Sequence, residues 1–188
     1  MGYGGLLLGG TTMKSKSKRG RFVLVFSLAL IVFVIAVVYS QTGPSFACLA
    51  PANGVARPGI SSRVLISSGM RRCYLLYVPA ADHPAQPMPV VFALHGFAGN
   101  AAGLRSIAVW EPVAERENFL VVYPDGSSFP LRWNIGPMAN IPAMDDVQFV
   151  RDILADLAAI AAIDPARIYI TGFSNGGQMT HRITCNLA

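Results

Sequence analysis

Short apolar runs alternate with amphipathic stretches along most of the chain after residue 70. Cys73–Val78, Val90–Leu94, Phe119–Tyr123 and Arg167–Thr171 read as strands. Val90–Leu94 and Phe119–Tyr123 contain no polar position, which predicts strands buried on both faces. A helical stretch is expected over 104–117, with Pro112 interrupting or restarting it. Asp145 starts another helix. There Val147, Val150, Leu154, Leu157 and Ala161 form one apolar stripe, while Arg151, Asp152 and Asp156 lie off it. Asp145 and Gln148 have the spacing of a capping box, and Asp164-Pro165 is expected to end this helix. A last helix follows Ser174. Residues 80–89 and 126–144 read as loops. Strand–helix alternation of this kind predicts an α/β fold, with a mostly parallel sheet and helices on both faces.

The first forty residues follow a different pattern. Phe22–Tyr39 is an apolar run broken only by Ser27. Lys14, Lys16, Lys18, Arg19 and Arg21 precede it, and no positive charge follows until Arg57. The positive-inside rule keeps residues 1–21 cytoplasmic and exports the rest. Residues 22–40 are then a signal or a transmembrane segment. Ser45-Phe46-Ala47 offers small residues for cleavage before Cys48, which could itself be lipidated. A cleaved signal, a retained anchor and a lipoprotein all remain open. The Pro- and Gly-rich residues 41–62 read as a linker, and residues 63–188 as one folded domain.

Charge and cysteine content narrow the chemistry. The five N-terminal basic residues account for the whole net charge of +5. The remaining ten basic and ten acidic residues balance, so nothing points to nucleic acid. No lysine follows Lys18, which excludes a lysine Schiff base or a P-loop lysine in the domain. Cys48, Cys73 and Cys185 match no zinc spacing. Export permits a disulfide, and Cys73 with Cys185 is one possible pair. No metal or cofactor site is indicated.

The sharpest motif is Gly172-Phe173-Ser174-Asn175-Gly176, lying between a strand and a helix. Such a G-x-S-x-G places the serine on a tight strained turn, and its glycines keep side chains out of the neighbouring backbone. Ser174 is the candidate nucleophile. His95-Gly96-Phe97 follows the Val90–Leu94 strand. Its loop would supply the Phe97 amide to an oxyanion hole, with the Asn175 amide as second donor and Gly96 as loop glycine. His95 precedes the nucleophile, in the wrong chain order for the base, so it is expected to order this loop through hydrogen bonds.

These pieces, taken as a set, resemble the polyhydroxybutyrate depolymerase and feruloyl esterase group of α/β-hydrolases. The stretches are Tyr74–Pro79, Pro89–Gly96, Val121–Gly126, Trp133-Asn134, Asp145–Val147 and Asp164–Gly177, continued by Met179 and Arg182–Cys185. Ile135–Met138 departs from the group, which often has cysteines there. The resemblance implies an exported serine esterase, secreted or membrane-anchored through residues 22–40. Its substrate would be a polyester or its oligomers, or a feruloyl or acetyl ester on polysaccharide. Trp133 and the 126–144 loop could line the acyl site, although a tryptophan in a loop is equally often a packing residue. A serine peptidase on the same fold and a non-catalytic membrane-anchored binding domain are the alternatives.

In this fold the triad runs Ser, acid, His. Only 14 residues follow Ser174, without Asp or Glu and with one histidine, His181. On a helix His181 would lie about 10 Å from Ser174 along the axis, beyond the roughly 3 Å reach of a base. His83 lies in a proline-rich loop, and Asp125 in a Pro-Asp-Gly turn. The C-terminal part of the fold, with the acid and base, is therefore expected to be missing from these 188 residues, leaving the elbow strand with an open edge.

Overall fold

The computed structural model describes residues 1, 27, 28, 30–34, 54–80, 86–136 and 144–187. The chain divides into two units, Met1–Val37 and Val38–Ala188. In the first, the described residues 27, 28 and 30–34 are helical. No helix among the described residues is long and apolar enough to cross a membrane. Most of the 22–40 segment, Cys48 and His83 lie outside the described residues.

The second unit is built on a five-stranded sheet. Its strands are β1 (Gly59–Ser67), β2 (Met70–Val78), β3 (Met88–Leu94), β4 (Leu120–Pro124) and β5 (Ile163–Gly172), arranged as β1-β2-β4-β3-β5. The β3/β4 and β3/β5 pairs are parallel, whereas β1/β2 and β2/β4 are antiparallel. The sheet is therefore mixed. The added antiparallel part comes from β1, which begins at Gly59 inside the stretch expected to be linker. Ser68 and Gly69, with φ of 47° and 77°, join β1 to β2. Two consecutive left-handed residues give the turn whose twist matches a hairpin.

Helices cover both faces. α1 (Ala101–Ala108) and α2 (Glu111–Glu117) pack on one, through Ala101 and Ala114 against Ala93, Val121 and Tyr123. α3 (Asp146–Ile160) and α4 (Asn175–Leu187) pack on the other. There Phe149, Ile153, Leu157, Met179 and Ile183 meet Val90, Phe92, Leu94, Leu120 and Val122. Alternate residues of β3 and β4 thus enter two different cores, which is why neither strand has a polar position. Pro112 stands in the first turn of α2, where its missing N–H is harmless. The helical stretch expected over 104–117 is accordingly two helices.

Asp145 caps α3 by accepting from the Gln148 N–H at 2.9 Å. The reciprocal half of the expected box is absent, because the Gln148 side chain donates to Asp152 instead. Asp164-Pro165 does not end α3, which stops at Ile160, but lies within β5. Asp164 accepts from the Ala166 N–H there, and the β3/β5 register shifts between Met88 and Val90. Proline is tolerated at such an irregular edge position. Among the described elements β5 is at the edge of the sheet, and its side chains are intermediate or exposed throughout.

Cys73 is disulfide-bonded. Cys185 is an exposed free thiol, so the two do not pair as the sequence had allowed.

Candidate active site

The registers Leu94↔Gly172, Phe92↔Val122 and Tyr74↔Pro124 bring the carboxyl ends of β3, β4 and β5 and the start of β2 to one sheet edge. The candidate residues leave from this edge. Phe173 extends the β5/β3 ladder by donating its N–H to Leu94 O at 3.1 Å. The chain then reverses at Ser174, whose φ is 52°, and α4 begins at the next residue. An L-residue held in the left-handed region stores on the order of 1 kcal/mol or more of strain, and such strain concentrates at functional sites. Ser174 is exposed. The flanking glycines are required by space. A Cβ on Gly172 would stand 2.4 Å from the Gly176 carbonyl carbon, and one on Gly176 would stand 2.3 Å from Leu94 O.

His95 is buried and neutral. Its Nε2 accepts from the Gly126 N–H at 2.9 Å, so the proton is on Nδ1, which donates to Gly96 O at 2.7 Å. Burial lowers its pKa to about 4, and the charge of Arg72 pushes the same way, against the opposing Gly96 bond. Both ring nitrogens are committed to ordering the loop, in the role the chain order implied. Beyond it, Ala98 donates its N–H to Leu131 O at 2.8 Å. Neither the Phe97 nor the Asn175 amide hydrogen has an acceptor among the described residues. Gly96 lies against the Phe173 ring, so a Cβ there would stand 3.0 Å from Phe173 Cδ1.

Trp133 does not line an acyl site. It is fully buried, with its ring centroid 5.0 Å from that of His95. Its indole N–H donates to His95 O at 2.8 Å, and its main-chain N–H donates to Asn175 Oδ1 at 2.7 Å. Asn134 follows. It gives its N–H to Asp146 Oδ2 at 2.7 Å and accepts from Arg182 on its own carbonyl at 2.6 Å. Asp146 is paired in turn with the buried Arg72 at 2.8 Å. Trp133, Asn134, Asp146 and Arg182 all lie in stretches that carry the family resemblance, but nothing in their spacing marks them as bonded to one another.

Other titratable candidates are engaged elsewhere or remote. Asp125 is buried, accepts the Ala101 N–H at 2.6 Å and lies beside the Cys73 sulfur, so it secures the start of α1. His181 is exposed on α4. No described histidine or carboxylate hydrogen-bonds the Ser174 hydroxyl, and no described cluster could hold a metal ion. Three phenyl rings, Phe97, Phe129 and Phe173, are exposed on the loops of this edge. A cavity of about 230 Å³ opens there between Met70, Asp125, Ser127, Leu131 and Met144.

No family model matches the chain. Feruloyl esterase B of Piromyces equi is 34% identical over 102 residues, covering 53% of this chain and 19% of that protein. Poly(3-hydroxyalkanoate) depolymerase C of Paucimonas lemoignei is 30% identical over 97 residues, covering 49% of this chain and 23% of its own. The chain thus spans about a fifth of the length of these relatives. Among solved structures, an S-formylglutathione hydrolase from Agrobacterium tumefaciens superposes with a TM-score of 0.55 at 20% identity. That match covers 72% of this chain and 56% of the hydrolase. The chain has part of the α/β-hydrolase fold and is similar in sequence to proteins that include feruloyl esterases and a polyhydroxyalkanoate depolymerase.

Proposed function

We propose that this protein hydrolyses carboxylic esters through an acyl-enzyme on Ser174. The observation that carries the reading is the elbow itself. An exposed serine is held at φ 52° between the end of the edge strand β5 and a helix N-terminus, packed so closely that both flanking glycines are obligatory. In the proposed reaction the Ser174 oxygen attacks the ester carbonyl as its proton passes to a base. The tetrahedral oxyanion forms beside the Phe97 and Asn175 amides, the alcohol leaves with a proton, and water then releases the acid. The base and its acid partner are not among the described residues around Ser174 and would come from elsewhere in the full-length protein. The substrate class follows the relatives: a feruloyl or acetyl ester on polysaccharide, or a polyhydroxyalkanoate-type polyester. Export is part of the same proposal. The disulfide at Cys73 supports it, since such bonds persist in oxidising compartments. Secretion and anchoring through residues 22–40 are separated by whether the product remains in the membrane fraction.

The test uses full-length protein, a fluorophosphonate label and p-nitrophenyl butyrate. Labelling and turnover are expected, and Ser174→Ala should lose both, by on the order of 10⁴-fold or more in kcat. Labelling that survives the substitution would overturn the assignment. Faster cleavage of p-nitroanilide peptides than of the ester would favour a peptidase. A reporter active only outside the cytoplasm, fused after residue 60, should be active.

A further inference from the structure

We propose that Trp133 is the positioning residue of the oxyanion hole, fixing the separation between its two amide donors. The inference rests on the reading of Phe97 and Asn175 as those donors. Residues 131–133 grip the first donor from both sides. The Trp133 indole N–H holds the carbonyl of His95 at 2.8 Å, and Leu131 O holds the amide of Ala98 at 2.8 Å. Phe97 lies between these two anchors, and its own N–H is left without an acceptor among the described residues. The same residue grips the second donor. The Trp133 main-chain N–H donates to Asn175 Oδ1 at 2.7 Å, and the Asn175 side-chain amide reaches back to Trp133 O at 3.5 Å.

The β3/β5 ladder alone does not fix this geometry. Its last rungs are Leu94↔Gly172 and the Phe173 bond to Leu94 O, both before either donor. Past that point Gly176 still packs on the main chain of Leu94 and His95 and Gly96 on the Phe173 ring, but no main-chain hydrogen bond joins the two segments among the described residues, and Trp133 is hydrogen-bonded to both. It is suited to the task because it cannot easily move. Its side chain is fully buried. The next residue, Asn134, is bonded to Asp146 and Arg182. On its other side Arg132 and Ser127 exchange both main-chain bonds, at 2.9 and 3.1 Å. A hole whose donors are fixed before charge develops needs no reorganisation during the reaction.

The experiment compares Trp133→Phe and Asn175→Ala with the parent in full-length protein. Trp133→Phe keeps an aromatic ring and removes the indole donor, while Asn175→Ala removes the acceptor at the other end of the link. Ser174 is titrated with a fluorophosphonate, so that kcat is expressed per active site. For each variant kcat with p-nitrophenyl butyrate should fall about ten- to a hundredfold, with KM held within about twofold, because misplaced donors weaken the transition state and not the ground state. Butylboronic acid, which forms a tetrahedral adduct on the serine, should bind more weakly by a similar factor. A purely structural role would lower the number of titratable sites or the melting temperature and leave kcat per site and boronate affinity intact. That result, or a rise in KM alone, overturns the proposal. If Trp133→Phe does not fold, Asn175→Ala decides alone. Ser174→Ala, run alongside, separates the two readings: hydrolysis that survives it refutes the acyl-enzyme on Ser174 on which this inference rests, whereas its loss with unchanged positioning variants refutes only the role of Trp133.

Discussion

Substituting Arg72 with methionine should remove a large share of the stability of the second unit. Arg72 donates to Asp146 Oδ1 at 2.8 Å and to the carbonyl of Asp125 at 3.0 Å. The two side chains are 6% and 0% exposed. The guanidinium also lies 3.9 Å from the centroid of the Phe149 ring. Methionine can keep the apolar contact with Phe149 but neither hydrogen bond nor charge. Breaking a buried pair from one side typically costs about 3–5 kcal/mol, because the remaining charge stays buried. Here Asp146 retains the Asn134 N–H and its place in the first turn of α3. That places the expected cost near the lower end, about 3 kcal/mol. With a urea m-value of roughly 1.5 kcal/mol/M, the unfolding midpoint should fall by about 2 M. Asp146→Leu alone should be similarly damaging. The two changes together should cost less than their sum, with a coupling of about 2–3 kcal/mol. The assay is urea unfolding followed by tryptophan fluorescence, since buried Trp133 is joined to Asp146 through Asn134. A midpoint shift below about 0.5 M for Arg72→Met would show that water reaches the carboxylate and would refute the reasoning.

Three further outcomes follow from other contacts. The His95 pKa falls from 6.5 unfolded to about 4 folded, so its contribution is fully present above pH 6.5 and is lost as the pH drops towards 4. The full loss approaches about 3 kcal/mol, and His95→Gln should flatten that part of the urea midpoint-against-pH curve; an unchanged slope would contradict the neutral buried ring. Gly176→Ala should cost about 3 kcal/mol or lose cooperative unfolding altogether, because the clash is with the main chain of Leu94 and His95, which cannot rotate away; normal melting would mean that α4 can slide. Without reductant, iodoacetamide should modify Cys185 and spare Cys73, while adding reductant should lower stability by about 2–5 kcal/mol as followed by melting temperature.

Where the sequence was legible, a local pattern left no choice. Val90–Leu94 and Phe119–Tyr123 have no polar position, are too short for a buried helix and are bounded by proline or glycine turns, which leaves a doubly covered strand. The elbow was legible because two glycines flank a serine directly after a β-run. β1 was not legible, because Gly59 and its neighbours look like linker, and only the Ser68-Gly69 turn marked a hairpin. The start of β5 was hidden by Asp164-Pro165, which punctuates in sequence but is absorbed by a register shift in the sheet. The role of Trp133, acyl-site lining or packing, was left open for a physical reason. A tryptophan in an irregular loop carries no periodicity, and its partners, His95 and Asn175, lie 38 and 42 residues away in the chain. The reciprocal capping bond failed because Gln148 found a closer use for its amide on Asp152.

The one-sided pairing of β5 among the described residues has a spectroscopic consequence. In a parallel ladder only alternate residues of a strand direct their N–H toward a given neighbour. Along the β3-paired stretch Ile168–Gly172, amides facing β3 are therefore protected from solvent deuterium, while the intervening ones face the open edge. Amide exchange along these residues should alternate slow and fast with a period of two. β3, bonded on both sides, should show uniformly slow exchange over Val90–Phe92. The alternation would serve as a reporter of assembly: any further strand that docks on this edge, from the same chain or another, would protect the fast set and erase it.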